Sequence, residues 1–275
     1  MFDLHVHAAP DVTARKADDL ETVRAYARAG FAGCVLKAHY ESTVGRSAAA
    51  AAATGFPVYG GIALNQHVGG FNPAAVAAAL AAGGRVVWLP TADAHTQQSA
   101  GLPRLCHAEP RIGTHTYAAP PVDVRVELAL RTIFDLVADA DAVLATGHLS
   151  APEAAWVVEH AGIAGVRRLL LTHPSYLVPG MRGAEARELA ARGAFVEVTA
   201  YQLLHQPDCS AAALATFVRE VGFDRLVLSS DAGQPGSPEP PEALAHLVDA
   251  LAAEGLDRSA LVAAASETPA RLVVP

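Results

Sequence analysis

The stretch AVLATGHLSAPEAAWVVEHAGIAGVRRLLLTH, residues 142–173, holds one complete structural unit of this chain and the opening of the next. A short run of Val, Leu and Ala ends at His148. Ser150 then stands three residues before Glu153, the spacing of a capping box in which each side chain pairs with the other residue's backbone N–H. An Ala-rich helical stretch over 151–161 stops at Gly162, and RLLLTH opens a second apolar run that ends at His173. Neither run alternates apolar with polar residues. That pattern belongs to strands buried on both faces, as in a parallel sheet covered outside by helices and filled inside by side chains.

The same unit recurs along the whole chain. The apolar runs FDLHVH, GCVLKAH, VYGGIALN, RVVWLP, AVLATGH, RLLLTH, AFVEVTA and RLVLSSD make eight. Helices are expected over 17–29, 42–54, 73–82, 124–138, 151–161, 184–192, 211–221 and 241–254, nearly all ending before a glycine. Asn72 and Pro73 read as N-cap and first helical residue of the third. The polar residues that close the runs are His7, His39, Asn65, Asp93, His148, His173, Thr199 and Asp231, separated by 32, 26, 28, 55, 25, 26 and 32 residues. Eight strand–helix units at this spacing predict an α/β fold, a single-domain (β/α)8 TIM barrel over residues 1–275. The long interval holds an inserted loop, about 94–122, at the face where long loops are commonly functional. A doubly wound dinucleotide-binding sheet would need a Gly-rich turn after its first strand, and HVHAAPD has none.

Composition excludes other classes. The 275 residues are 52% hydrophobic and 17% charged, with a formal net charge of -8 and no Lys/Arg run to neutralise phosphates, so nucleic acid is not an expected partner. Residues 47–84 carry no charge, but Pro and Gly interrupt them repeatedly and no membrane span is expected. MFDLHVHAAP lacks the marks of a secretory signal, and three scattered cysteines, Cys34, Cys106 and Cys209, make neither a zinc knuckle nor a disulfide framework. They read as packing residues in a cytoplasmic protein. A mean hydropathy of +0.25 is compatible with a homo-oligomer that buries helix faces, without identifying an interface.

In a parallel barrel the C-terminal strand ends all face one mouth, so histidines far apart in sequence become neighbours. His5 and His7 stand two apart on one strand, on the same face, and a pair so placed can chelate a divalent cation. His148, His173 and Asp231, at the ends of the fifth, sixth and eighth runs, add nitrogen and oxygen donors. The set suits a divalent transition metal, Zn first, with Mn, Ni and Fe as alternatives. Ligand-type residues at the ends of otherwise apolar runs are poorly explained as core groups.

The order His-x-His, His, His, Asp resembles the amidohydrolase superfamily of metal-dependent hydrolases. HVHAAPD with Arg15, VLKAHYEST, ATGHLSAPE, LTHP and SSDAG are most similar to an uncharacterised amidohydrolase-like branch, and ETPARLVV, residues 267–274, resembles the superfamily's closing Asn-Pro-Ala-Arg-Leu with Thr268 in place of Asn. The resemblance implies that His5, His7 and Asp231 hold one metal, that His148 and His173 hold a second or orient the attacking water, and that Asp231 is the general base. The superfamily's bridging Lys or Glu on the fourth strand is missing, since that run ends WLPTADAH. Lys37, on one face with His39, is the substitute. It is carboxylated and bridges two metals, stays cationic and binds a substrate carboxylate or oxyanion, or pairs with Glu41 or Asp11.

The expected function is hydrolysis of an amide, lactone or related carbonyl bond in a small molecule, with Asp231, Lys37 and His39 as catalytic groups. Two alternatives stay open: a metal-dependent decarboxylase or lyase on the same site, and a barrel that binds a small molecule without turnover. His39 is the first of the supporting residues, set against a plain hydrogen bond to a neighbouring strand. Asp93, His95 and Arg15 follow, and Glu197 reads as the partner of a cation inside the barrel. His107, His115 and Tyr117 are read either as a lid or as surface residues of the inserted loop, and His67, His160, His205 and His246 as surface histidines.

Overall fold

The computed structural model describes residues 1–102, 111 and 113–275; Cys106 and His107 lie outside them. Among the described residues nine parallel strands are present: β1 (Phe2–Val6), β2 (Gly33–Leu36), β3 (Val58–Tyr59), β4 (Gly61–Ala63), β5 (Val86–Trp88), β6 (Val143–Ala145), β7 (Arg168–Leu171), β8 (Phe195–Thr199) and β9 (Leu226–Ser229). β1 to β3 pair in one sheet and β4 to β9 in another. Two seams join them into a closed barrel. At the first, beside β9, the His7 N–H donates to Ala232 O and the Asp231 N–H to His5 O, both at 2.8 Å. At the second, Thr43 replaces a ladder: its hydroxyl donates to Leu36 O at 2.7 Å and accepts from the Gly61 N–H at 3.0 Å.

The barrel is therefore eight-stranded, with the third run split at Gly60 into β3 and β4. The cause is steric. A Cβ at Gly60 would lie 2.7 Å from Thr43 O, so Gly60 is what lets Thr43 wedge between the strands; one at Gly61 would lie only 2.0 Å from Val86 O, so Gly61 lets β4 lie close against β5.

The helices are α1 (Asp19–Arg28), α2 (Val44–Thr54), α3 (Pro73–Ala81), α4 (His95–Ser99), α5 (Glu127–Asp139), α6 (Ala151–Ile163), α7 (Gly183–Ala191), α8 (Ala200–His205), α9 (Ala211–Val221), α10 (Pro240–Ala253), α11 (Arg258–Ala264) and α12 (Glu267–Val273). All eight expected helices form. Asn72 caps α3 by accepting from the N–H groups of Ala74 and Ala75, and Glu153 accepts from the Ser150 N–H at 2.8 Å. α6 runs through Gly162, and the left-handed turn that ends it comes at Gly165 (φ 89°). A glycine inside a helix weakens it without stopping it; the stop comes where positive φ is needed.

One apolar cluster, including Phe2, Leu4, Val35, Trp88, Leu170 and Val227, fills the barrel, and Leu272 and Val273 of α12 join it from below. The opposite strand faces pack against the helices in a second, larger cluster. Within the insertion, Tyr117 pairs with Ala94 and packs its ring on Phe71, so it is fastened to the scaffold. No described helix is long and apolar enough to cross a membrane.

Candidate active site

The first strand is irregular where it matters. Its pairing with β2 shifts register between Asp3 and Val6. Leu4 faces the barrel interior, yet His5 and His7 also reach the mouth. Asp3 takes up the backbone groups this disturbs: its carboxylate accepts from the N–H of His5 at 3.1 Å, the N–H of Ser230 at 3.0 Å and the hydroxyl of Tyr26. Irregularities of this kind re-aim side chains near active sites. Two other site residues have strained backbones, His173 (φ 26°) and Asp231 (φ 48°), in a region costly for anything but glycine.

These segments bring together the predicted ligands. His5 Nε2 lies 3.1 Å and His7 Nε2 3.2 Å from the same oxygen, Asp231 Oδ1, and His173 Nε2 lies 4.0 Å from Oδ2. His5, His173 and Asp231 offer ligand atoms all within 4.8 Å of one another. Donors ~2.1 Å from a tetrahedral zinc stand ~3.4 Å apart, so the observed separations suit a shared ion. Further, His7 Nδ1 and His173 Nδ1 are buried without a hydrogen-bond partner among the described residues. A cluster of imidazoles around one carboxylate, with orphaned nitrogens, has the composition of a transition-metal site.

Surrounding groups decide which nitrogen each ring offers. Glu197 is buried, and its carboxylate faces His5 Nδ1 at 3.2 Å while also accepting from Ser229 Oγ and the His173 N–H. The Nδ1 proton of His5 therefore points at Glu197, and Nε2 is the nitrogen turned into the cluster; burial would lower His5, but the carboxylates of Asp231 and Glu197 on its two sides raise it above the usual imidazole range. The partner of Glu197 is thus His5, one of the predicted ligands. His148 Nδ1 lies 3.0 Å from Gln97 Oε1, which leaves Nε2 free in the same way. Burial, reinforced by Lys37, pushes His148 down to about 3, so it is neutral at ordinary pH.

His39 differs. Asn65 Oδ1 accepts from the N–H groups of Thr91 and Asp93, so its amide nitrogen must be the atom that donates to His39 O and Thr91 Oγ1. With Asn65 donating to it, the buried Thr91 hydroxyl finds its acceptor in His39 Nδ1 at 2.8 Å. That tautomer leaves Nε2–H as the donor His39 carries in the cavity wall. The strand-to-strand hydrogen bond and a place in the site coexist here.

Lys37 is almost fully buried, with Nζ 3.0 Å from His5 Nε2 and 5.5 Å from the Trp88 ring centre. Burial pushes it down to about 8, against the pull of Asp231 and Glu197. Glu41 and Asp11, the carboxylates of the ion-pair alternative, are engaged by Arg46 and Arg15. Burial alone would raise Asp231, yet His5 and His7 hold it well below the usual carboxylate range.

Sequence reasoning missed Tyr176, which follows His173 by three residues in the loop after β7. Its hydroxyl donates to Asp231 Oδ2 at 2.6 Å and meets Thr199 Oγ1 at 2.6 Å, and its ring stacks on His173 at 3.7 Å. Asp3 and Gln97 were missed too. A cavity of ≈ 560 Å³ opens over the cluster, lined by His7, Lys37, His39, His148, His173 and Asp231 below and by Arg15, Leu177, Tyr201 and His205 farther along. His205, expected on the surface, thus borders the cavity and bonds Ser237. His67 and His246 are exposed, His160 binds Trp156 O in its own helix, and His115 is exposed. His95 approaches Glu153 at 3.5 Å, and Asp93 accepts from the Gln66 N–H. Burial raises the thiols of Cys34 and Cys209, in keeping with packing roles.

No curated protein matches the sequence. Among solved structures, an amidohydrolase from Pseudomonas aeruginosa superposes with a TM-score of 0.66 at 12% identity, covering 98% of this chain and 94% of that one. An organophosphorus hydrolase from Deinococcus radiodurans gives 0.64 at 16%, covering 98% and 92%. A mutant PTE-like lactonase from the same organism gives 0.62 at 16%, covering 98% and 95%. At such identities the likeness is one of fold: the chain has the barrel of these proteins. Residues 1–197 match the family described as "Family of unknown function (DUF6282)", and the chain belongs to that family.

Proposed function

We propose that this protein is a metal-dependent hydrolase that directs water at an amide, lactone or related carbonyl bond of a small molecule. The observation that carries the reading is the meeting of His5 and His7 on one oxygen of Asp231, with His173 beside them, at the mouth of the barrel. The amidohydrolase and lactonase neighbours of the same fold support it. His5, His7, His173 and Asp231 would hold the ion, with His148 available to a second. Zinc fits the donors best. Bound there, such an ion polarises a carbonyl and makes water a stronger acid.

The chain's own groups supply the rest. Asp231, kept ionised by the imidazoles facing it, accepts the water proton and returns it to the leaving group. Tyr176 holds Oδ2 of that carboxylate by its hydroxyl, and Glu197 fixes the tautomer of His5. His39 Nε2–H is a donor for the carbonyl oxygen or leaving group. Lys37 must be uncharged when the ion is bound, because an ammonium 3.0 Å from a ligand nitrogen would repel it. Burial, by bringing Lys37 down to about 8, makes the free amine more accessible than in an exposed lysine, and that is the form carbon dioxide converts to a carbamate.

Elemental analysis of the purified protein should find at least one transition-metal ion per chain. His5→Ala combined with His7→Ala should abolish both the metal and the hydrolysis of a panel of amides and lactones. Full activity in that double variant would refute the proposal, and release of carbon dioxide in place of water uptake would assign a lyase instead.

A further inference from the structure

The segment between β1 and α1 presents polar groups to the cavity that nothing in the metal cluster uses. Asp11 organises it. One carboxylate oxygen accepts from Arg15 Nε at 2.6 Å, and the other lies 3.4 Å from the Thr13 N–H. The Asp11 side chain is 1% and the Arg15 side chain 6% exposed, so this is an inward-facing pair and not a solvated one. Because Asp11 occupies only Nε, the Nη1–Nη2 edge of the guanidinium has no protein partner among the described residues. Thr13 Oγ1 is buried and likewise without a partner. Both residues line the cavity.

The segment is tied down on each side: the Lys16 N–H donates to Gly233 O at 2.8 Å, and Arg46 Nη2 to Ala8 O at 2.6 Å. Two parallel N–H groups on a planar fork match the two oxygens of a carboxylate, whereas a neutral amide has one oxygen to offer and a nitrogen that donates. In the same cavity Tyr176 and Tyr201 stack with centroids 5.6 Å apart, a wall suited to a flat apolar body.

We propose that the free edge of Arg15, with the Thr13 hydroxyl, binds the carboxylate of the substrate, so that the site acts on small carboxylic acids with an aromatic or apolar body. This rests on the hydrolase reading for the bond attacked at Asp231, but the acid-binding step stands apart from the metal and can be tested without turnover.

The test is calorimetric titration of phenylacetate and its neutral isostere phenylacetamide into the metal-loaded and the chelator-treated protein. Wild type should prefer the acid by about tenfold or more in both states. Arg15→Gln should remove that preference in both, Thr13→Val should reduce it severalfold, and Arg15→Lys, which keeps the charge but loses the fork, should lose most of it. Urea unfolding of each variant checks its fold; if Arg15→Gln does not fold, Thr13→Val and Arg15→Lys decide. Equal binding of acid and amide, binding of neither, or a preference unchanged in the variants overturns the proposal. A preference seen only with metal and unaffected by Arg15→Gln places the carboxylate on the ion: this inference then fails while the hydrolase reading survives. A preference lost with Arg15 in a protein that takes up no metal gives the reverse result.

Discussion

Glu197 and Tyr176 hold the chemistry of the site in place, although neither belongs to the ligand set. A ligand imidazole presents one nitrogen to the cluster only if its other nitrogen has a fixed partner, and for His5 that partner is the buried Glu197 carboxylate. Glu197→Gln keeps the volume but replaces the acceptor charge with an amide that can be read either way round. We expect metal affinity to fall about 10- to 100-fold with the fold intact, measured by competition against a chelator and by circular dichroism. At this scale the sequence was legible where residues close apolar runs: His5, His7, His173 and Asp231 lie together, and Lys37, His39 and His148 share their cavity. Tyr176 was not legible because it sits in a loop, where no periodicity predicts the direction of a side chain, and Gln97 because its five-residue helix α4 is too short to show one.

Among the elements, β1 shows how a strand delivers two histidines. Strict alternation from Leu4 would turn His5 away from the barrel interior; the shifted register returns it, and the Asp3 carboxylate accepts from three donors around the irregularity. Asp3→Leu would leave those donors buried and unpaired. The expected loss is about 2–4 kcal/mol of stability, read as a lower urea midpoint, together with weaker metal uptake. Asp3→Asn, which retains an acceptor oxygen, should cost less. The split of the third run at Gly60 belongs to the same scale. Its residues read as one strand because propensity and hydrophobicity are local, whereas the wedge of Thr43 between neighbouring strands is not.

For the whole molecule, the mouth concentrates histidines, of which burial lowers His7, His39, His148 and His173, while the carboxylates beside His5 raise it. His148 titrates near 6.5 when unfolded and at about 3 in the folded protein. Between those values the unfolded chain binds the extra proton, so stability falls as pH is lowered through that window and is insensitive to this group above it. The chelator-treated protein should therefore lose stability from about pH 6.5 downward, with a shallower decline in His148→Gln, followed by urea midpoints across the pH range. On the proposed metal site, metal added at neutral pH should raise the melting temperature with concentration, since an ion held by the folded cluster would have no equal site in the unfolded chain.

The architecture could be read from the linear order of residues: eight apolar runs, their helical partners and the ligand-type residues at the run ends repeat with a period that survives without coordinates. Such signals are short-range, each carried within one strand–helix unit. Which nitrogen of each imidazole faces Asp231, where β1 shifts its register, how Asn65 sets the tautomer of His39 through Thr91, and that no described residue takes the second edge of Arg15 were decided only by the closed barrel. Those features depend on register and side-chain direction across strands that are distant in sequence, and these exist only once the strands have closed.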